Sequence, residues 1–253
     1  MNKEEYELMR QEMTDLVYKY ELFVKDGSIT DLRYNKTFYD QLKKHRYYEI
    51  ENEIMAKAIE IQTKNNTGIE LPNFISKMET SYHGENQTAV KKNEYANQII
   101  PLMDKISPNE KHEFEQYFHD FIYKYHPLIT LTQDKDYINS FQVLRRCYCE
   151  NNRKSFNAIL DTLTNKLDEM QKTTTEEFTE ASIAYYDIRV NISKQMLDNK
   201  TKYPYNKTEV FQDNMTIQAE KDDIEIQTDK LRQAGLKIHK DYINVFGKDY
   251  KLA

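Results

Sequence analysis

The sequence has no tryptophan, and it has only 5 glycines and 5 prolines among its 253 residues. Glycine and proline together make up roughly 4% of the chain, against about 12% in average proteins. Because these two residues form most tight turns, the chain can make few of them. The shortage therefore predicts long, uninterrupted helices.

Cysteine is also scarce, with 2 residues in the chain, and the N-terminal stretch MNKEEYELMRQEM is acidic and amphipathic rather than a secretion signal. No apolar run approaches the roughly 20 residues that are needed to cross a bilayer. Two cysteines without a secretion signal fit a reducing compartment. The sequence therefore predicts a soluble, cytoplasmic protein without a membrane partner.

Positive charge is outweighed by negative charge, with 36 Lys and Arg against 42 Asp and Glu and a net charge of −6. Binding to nucleic acid requires a basic surface, so we expect no nucleic-acid partner. A mean hydropathy of −0.88 favours solvated helices over a thick core. Much of the apolar volume comes from 20 Tyr and 11 Phe, and tyrosine suits a thin core because its hydroxyl can still reach water.

Helical periodicity begins close to the N-terminus. Apolar side chains recur there at alternating steps of three and four residues, which is typical of a coiled-coil seam. They are Tyr6, Met9, Met13, Leu16, Tyr20 and Phe23. Asp26-Gly27-Ser28 predicts a turn, after which a second helix covers about residues 30–64 and stops at Asn65-Asn66. We expect these two helices to form an antiparallel hairpin over residues 1–66.

Residues 67–105 are less regular and predict two connecting helices. Pro72 can start the first helix, and His83-Gly84 is expected to end it. The second helix is expected over about residues 87–100, stopping at Pro101.

A small helical domain is predicted over residues 106–168. Ser107, Pro108 and Glu110 have the spacing of a capping box, in which the first helical residue is proline. The helix that they open is aromatic on one face, and it ends at His126-Pro127 because the residue before a proline resists the helical conformation.

A loop from Leu128 to about Gln133 leads into the next predicted helix, which Asn151-Asn152 ends. A further helix is then expected. Its apolar positions are Phe156, Ile159, Leu160, Leu163 and Leu167.

The last segment, residues 169–253, predicts a second hairpin whose tip is Tyr203-Pro204-Tyr205-Asn206. The apolar positions of its first arm are Phe178, Ala181, Tyr185, Ile188 and Ile192. The return arm carries an apolar residue at every seventh position, namely Val210, Ile217, Ile224, Leu231, Ile238 and Val245. The companion positions of this seam are mostly polar, and such a seam is either stabilised by a protein partner or stays marginal. We therefore take Ile217, Ile224, Leu231 and Ile238 as a candidate partner surface.

Three stretches together resemble a family of bacterial (Firmicutes-type) cytoplasmic proteins that carry a J-like (DnaJ-type) domain between coiled-coil arms. They are QLKKHRYYEIENEIMAKAIEIQTKNN, the pair FEQYFHDFIYKYHPL and YINSFQVLRRCYCENNRKSFNAIL, and KYPYNKTEVFQDN. The resemblance spans about residues 40–245 and is a pattern of positions rather than strong identity. It implies an all-α fold in which long antiparallel helical hairpins flank a small J-like domain.

In J domains a basic helix precedes a His-Pro-Asp motif, and the two together stimulate a DnaK-type ATPase. His126 and Pro127 match two of the three motif residues, whereas Leu128 replaces the acid. The helix before the motif carries more acidic than basic residues, which opposes docking on an acidic partner. The resemblance therefore implies a J-like fold that has lost its stimulating activity, although His126-Pro127 alone also fits an ordinary helix end.

Other candidate chemistry is sparse. His112, His119 and His126 recur every seven residues, so neighbouring members lie about 10 Å apart along a helix and cannot share one metal ion. Arg145-Arg146 and Arg153-Lys154 form the clearest basic cluster, which fits a phosphate, an acidic partner or a solvated helix face. Cys147 and Cys149 point to different sides of a helix, so they cannot readily form a disulfide with each other, and buried or half-buried thiols are expected.

The sequence thus favours a non-enzymatic adaptor that binds protein partners and needs no cofactor or metal. The degenerate motif His126-Pro127-Leu128 does not stimulate a DnaK-type chaperone in this interpretation, and the coiled-coil arms offer a route to a homo-oligomer. A functional J-type co-chaperone, with Asp134 supplying the missing acid, is the first alternative. A metal-dependent helical enzyme is the second.

Overall fold

The computed structural model describes residues 3–64, 70–160 and 178–252, and every regular element within these ranges is helical. The predicted all-α fold class is therefore confirmed. The elements are α1 (Lys3–Thr63), α2 (Glu70–Met103), α3 (Pro108–Tyr125), α4 (Pro127–Thr130), α5 (Lys135–Cys149), α6 (described over residues 153–160), α7 (Phe178–Lys200), the 3-10 helix Tyr205–Phe211 and α8 (Asn214–Phe246).

The chain forms two compact units, and each unit combines segments that are distant in sequence. Unit 1 comprises Met1–Asp31 and Gln98–Thr208, and unit 2 comprises Leu32–Asn97 and Glu209–Ala253. These units cut across the four consecutive segments 1–66, 67–105, 106–168 and 169–253 that the periodicity predicts.

Helix α1 is one helix of 61 residues, so the predicted turn at Asp26-Gly27-Ser28 and the hairpin built on it are wrong. Gly27 is buried within the helix, and the edge of the Tyr205 ring occupies the space that a Cβ atom would need. The same ring stacks on Phe23 with centroids 4.0 Å apart. Glycine is thus present for close packing, which requires no break in the helix.

Helix α2 runs from Glu70 to Met103 without the predicted interruption at His83-Gly84. A single glycine costs a helix only about 1 kcal/mol relative to alanine, and the rest of α2 offsets that cost. Pro101 lies inside the last turn of α2 rather than beyond its end. The predicted stop at Asn65-Asn66 lies outside the described residues.

Unit 1 has an aromatic core, and it contains the two helices predicted on either side of His126-Pro127. Ser107 and Glu110 form the expected capping box at the start of α3. The rings of Phe118 and Tyr148 stack with centroids 3.7 Å apart, and those of Phe121 and Phe141 stack at 6.3 Å. Since the first ring of each pair lies on α3 and its partner on α5, the order of contacts makes these helices antiparallel.

The connections around these helices also follow local signals. Asn151 has a left-handed backbone, with φ of 52°, and it separates α5 from α6 as predicted. Phe156 is buried in the same core, while Leu163 and Leu167 lie outside the described residues.

Helix α7 contributes buried Tyr185, whose hydroxyl donates to the Ile129 carbonyl at 2.6 Å.

Unit 2 is built from the second half of α1, most of α2, and α8. Arg46 of α1 pairs with Glu85 of α2 at 2.9 Å, so these two helices pack side by side. The middle of the predicted α8 seam packs against α1. His45 Nδ1 lies 3.1 Å from the Thr228 hydroxyl, and Asn52 donates to the Leu231 carbonyl at 2.8 Å.

The interpretation of this seam as a free partner surface is therefore wrong for its central residue, because Ile224 is buried against Phe38 of α1. The neighbouring seam residues Ile217, Leu231 and Ile238 are half-buried. The polar companion positions were expected to weaken the seam, but two of them take part in its packing on α1. Thr228 is hydrogen-bonded to His45, and Gly235 makes room for the Asn52 amide.

Candidate functional site

His126 occupies the end of one helix and the start of the next. Its backbone N–H donates to the Ile122 carbonyl at 3.1 Å and ends α3. Its ring Nδ1 accepts a hydrogen bond from the Leu128 N–H at 3.1 Å and caps α4. The side chain therefore stabilises the turn directly, with Pro127 as the first residue of α4, where its missing N–H costs nothing.

The other ring nitrogen of His126 meets a buried carboxylate. Nε2 lies 3.3 Å from Glu21 Oε1, and the two side chains are 2% and 1% exposed. Because Nδ1 accepts a hydrogen bond, the ring proton must be on Nε2, which donates to Glu21. Burial lowers the pKa of His126, and Glu21 offsets only part of this effect, so the ring is neutral at neutral pH.

Arg145 supplies the cation that balances Glu21. Its Nε and Nη2 atoms donate to the two carboxylate oxygens at 2.6 and 2.7 Å, a bidentate arrangement. Burial alone would lower the pKa of Arg145, but Glu21 and Tyr20 together outweigh burial and raise it. With Glu21 and Arg145 charged and His126 neutral, the three-residue cluster carries no net charge.

Glu21 is the member of this cluster that the sequence did not single out. It lies on the buried side of α1, four residues after the buried Val17. An acid at that place in an apolar stripe is the signal that could have identified it, since unpaired carboxylates are almost never fully buried. The pattern gave no indication of its partners, which lie more than 100 residues away in sequence.

A pocket of about 460 Å³ opens beside the cluster, within unit 1. Apolar side chains of the His-Pro turn, α5 and α7 supply most of its lining, together with amides. The lining residues are Tyr20, Glu21, His126, Pro127, Leu128, Leu131, Thr132, Gln133, Ile138, Phe141, Gln142, Arg145, Ile188, Asn191, Ile192 and Gln195. The Tyr20 hydroxyl donates to Gln195 at 2.8 Å across it. The charged groups at its floor are already paired, so the pocket offers shape and amides rather than an activated nucleophile.

The features expected of a chaperone contact are used within the protein. Leu128 packs against the aromatic core, and His126 is buried. Asp134, considered as a replacement for the missing acid, caps α5, where its carboxylate accepts from the Tyr137 N–H at 2.8 Å. The acidic side chain of Glu110 on α3 is held in the capping box.

The predicted basic pair Arg145-Arg146 is divided by the structure. Arg145 turns inward to Glu21, whereas Arg146 is exposed and pairs with Glu150, four residues later, at 2.9 Å. These two residues therefore do not form a joint surface for an acidic partner.

The three histidines spaced by seven residues have three different partners. His112 contacts Gln116 at 3.0 Å, His119 contacts Asp15 at 3.1 Å, and His126 is held by Glu21. Within residues 3–64, 70–160 and 178–252, no group of three His, Cys, Asp or Glu side chains is arranged to hold a metal ion.

Both cysteines are buried free thiols, as expected from the sequence. Burial raises the pKa of Cys147 above its usual value, and it raises the pKa of Cys149 to about 12. Neither side chain is therefore a thiolate near neutral pH, and neither has the character of a reactive cysteine.

Lys25 is a second buried ionisable group of unit 1 that the sequence did not reveal. Its Nζ lies 4.2 Å from the centroid of the Tyr148 ring and 3.6 Å from Glu115. Burial lowers the pKa of Lys25, and the Glu115 carboxylate opposes this shift. The side chain is buried and its amine lies over the Tyr148 ring, which fits a packing role within the aromatic core.

None of the described helices has both the length and the apolar character that a membrane-crossing segment needs. The chain was compared with protein-family models, curated proteins and solved structures, and no match was found in any of the three.

Proposed function

We propose that the chain is a non-enzymatic cytoplasmic adaptor, which acts by binding protein partners and whose J-like segment does not stimulate a DnaK-type chaperone. The observation that carries the proposal is a second apolar face on α7. One face of this helix, with Ala181, Tyr185 and Ile192, is buried in unit 1. The opposite face is apolar as well, and it is exposed.

This exposed face has the spacing of a helix–helix contact. Its residues recur at steps of three, four and seven, and we refer to them as the α7 stripe. They are Ile183, Tyr186, Val190 and Leu197, which are 63%, 67%, 48% and 72% exposed. At 100° per residue they lie opposite the buried face of the same helix. An apolar row of this kind is typical of a surface that binds another protein chain.

The condition of His126 supports the second part of the proposal. Both ring nitrogens of His126 are engaged within the protein and its side chain is 2% exposed, so the ring is not available to a chaperone. Leu128 offers no carboxylate in place of the missing acid. Freeing His126 would also leave Glu21 with one hydrogen-bond partner fewer in a buried position, which is costly.

Single-turnover ATP hydrolysis by a DnaK-type chaperone tests the silent J-like segment. We expect no acceleration by saturating wild-type protein and none by the His126→Gln variant. Acceleration by the wild type that His126→Gln abolishes would show a functional co-chaperone and would overturn the proposal.

Partner capture from a bacterial lysate tests the adaptor function. We expect proteins retained by the wild type to be lost when Tyr186→Lys and Val190→Lys are combined, because two charges would be buried at the contact. The matched control combines Ile226→Lys with Leu236→Lys, two similarly exposed apolar positions on α8. Equal retention by both double variants would remove the α7 stripe as the contact surface.

A further inference from the structure

We infer that the α7 stripe binds the α7 stripe of a second copy of this chain, with the two helices antiparallel. The inference takes from the proposed function only that the stripe is a contact surface, and it names the partner. Three properties of α7 lead to it: the charges on one edge of the stripe, the charge on the other edge, and the apolar area between them.

The first edge carries one acid and one base, placed so that each can pair with the opposite charge on an antiparallel copy of the same helix. Asp187 and Lys194 are seven residues apart, so they project from the same side of the stripe. Both are exposed, and neither forms an ion pair within the described part of the chain. In an antiparallel pair with its two-fold axis beside Val190, residues before Val190 in one copy face residues after Val190 in the other copy. Asp187 of each copy then lies beside Lys194 of its partner, which gives two equivalent ion pairs.

The same axis brings the apolar residues together. Ile183 and Leu197 are each seven residues from Val190, so each faces the other across the axis, and Val190 meets its own copy. Such isologous pairing is the commonest way in which identical chains associate. The Tyr186 ring lies opposite Lys194 of the partner, where its face can receive the ammonium group.

The other edge of the stripe argues against a parallel arrangement. In a parallel pair, a residue on this edge meets a residue about five positions later on the partner. Arg189 would then meet Lys194, and two cations would repel each other. In the antiparallel arrangement these residues lie on different edges, and the Arg189 charge is balanced within its own chain by Glu12 at 3.1 Å.

The apolar area of the stripe is sufficient for a weak dimer. From the exposed fractions of its side chains it amounts to on the order of 500 Å² per copy, at the upper end of what soluble monomers present. Two copies would bury on the order of 1,000 Å², the lower limit for a specific interface. We therefore expect a weak, reversible dimer with a dissociation constant in the micromolar range.

Sedimentation equilibrium of the purified chain over a wide concentration range tests the inference. We expect a monomer–dimer equilibrium for the wild type and a monomer for Tyr186→Lys combined with Val190→Lys. The control Ile226→Lys combined with Leu236→Lys should dimerise as the wild type does. Circular dichroism of each variant establishes that its helices are intact. A wild type that stays monomeric at about 300 µM, far above the expected dissociation constant, would overturn the inference.

A charge exchange tests the antiparallel register. Asp187→Lys alone and Lys194→Asp alone should each weaken the dimer on the order of tenfold, because each creates two like-charged contacts. The two changes together restore opposite charges, so affinity should return to within about threefold of the wild type. A double variant as weak as the single ones would overturn the antiparallel register, as would a parallel dimer detected by spin-label distances from position 200, which is exposed and lies outside the stripe.

The two proposals can fail separately. A monomeric chain that captures a different protein through the α7 stripe would overturn the second copy as the partner and would leave the adaptor function intact. A dimer that accelerates ATP hydrolysis through His126 would overturn the proposed function and would leave the second copy as the partner of the α7 stripe.

Discussion

Arg145 holds the buried carboxylate of Glu21 through two hydrogen bonds, of 2.6 and 2.7 Å, and this pair fixes the α1 helix to α5 at the His-Pro turn. Glu21 also accepts a hydrogen bond from His126. Through this contact, a residue of α1 holds the His-Pro turn in the core of unit 1.

Replacing Arg145 with alanine should strongly destabilise the protein. The change leaves Glu21 buried without its cation, which typically costs about 3–5 kcal/mol of unfolding free energy. The adjacent Arg146 gives a matched control, because its ion pair with Glu150 is exposed and alanine there should cost less than about 1 kcal/mol. Urea unfolding followed by circular dichroism measures both. Equal losses of unfolding free energy at the two positions would show that the buried pair stabilises the protein no more than an exposed pair does.

The stability of the protein should decrease in mildly acidic solution because of His126. In the unfolded chain this residue titrates near its ordinary pKa of about 6.5, whereas burial lowers its pKa in the folded protein. Below about pH 6.5 the unfolded state therefore binds more protons than the folded state, and stability falls as the pH drops.

The comparison of wild type with His126→Gln isolates this effect. Between pH 7.5 and pH 5.5 the wild type should lose about 1 kcal/mol more unfolding free energy than the variant. Urea titrations at the two pH values give the difference. A variant that loses as much as the wild type would mean that other groups cause the pH dependence.

Gly27 and Gly84, which both lie inside helices, should respond in opposite directions to alanine. At Gly27 the new methyl group would overlap the Tyr205 ring, which is itself stacked on Phe23, so we expect a loss of about 1–3 kcal/mol. At Gly84 nothing lies within 4 Å, so alanine should stabilise α2 by about 0.5–1 kcal/mol. Thermal unfolding of both variants checks the sign. Stabilisation at Gly27 would contradict the packing of Tyr205 on α1.

Two isoleucines of α8 should differ sharply, although they are only two residues apart. Ile224 packs on Phe38, and its replacement by alanine should cost about 2–4 kcal/mol. Ile226 is exposed, so alanine there should change stability by less than about 0.5 kcal/mol. Denaturant unfolding of the two variants measures the difference. Similar small losses at both positions would indicate that the α8 seam is a free surface, as the sequence alone suggested.

Local signals account for the parts of the fold that were predicted correctly. The capping box at Ser107 and the stop at His126-Pro127 depend on residues within a few positions of each other, so the sequence reveals them directly. The α8 seam was found by its seven-residue period for the same reason. Its partner was not found, because the period of a helix does not indicate which helix covers it.

Distant contacts account for the errors. Gly27 is a turn signal by its local sequence, and only the Tyr205 ring, far along the chain, explains why α1 continues through it. His126 has the local sequence of a helix end or a degenerate J motif, and its burial depends on Glu21 and Phe141, which are distant in sequence. In both cases tertiary packing decides the outcome against a weak local preference.

The division of α1 between the two units has a consequence for synthesis on the ribosome. Met1–Asp31 needs Gln98–Thr208 to complete its core, and Leu32–Asn97 needs Glu209–Ala253. The first half of the nascent chain therefore exposes apolar side chains that have no cover until much later residues emerge. Closing such distant contacts slows folding, and truncated products should be substrates for proteases rather than stable fragments.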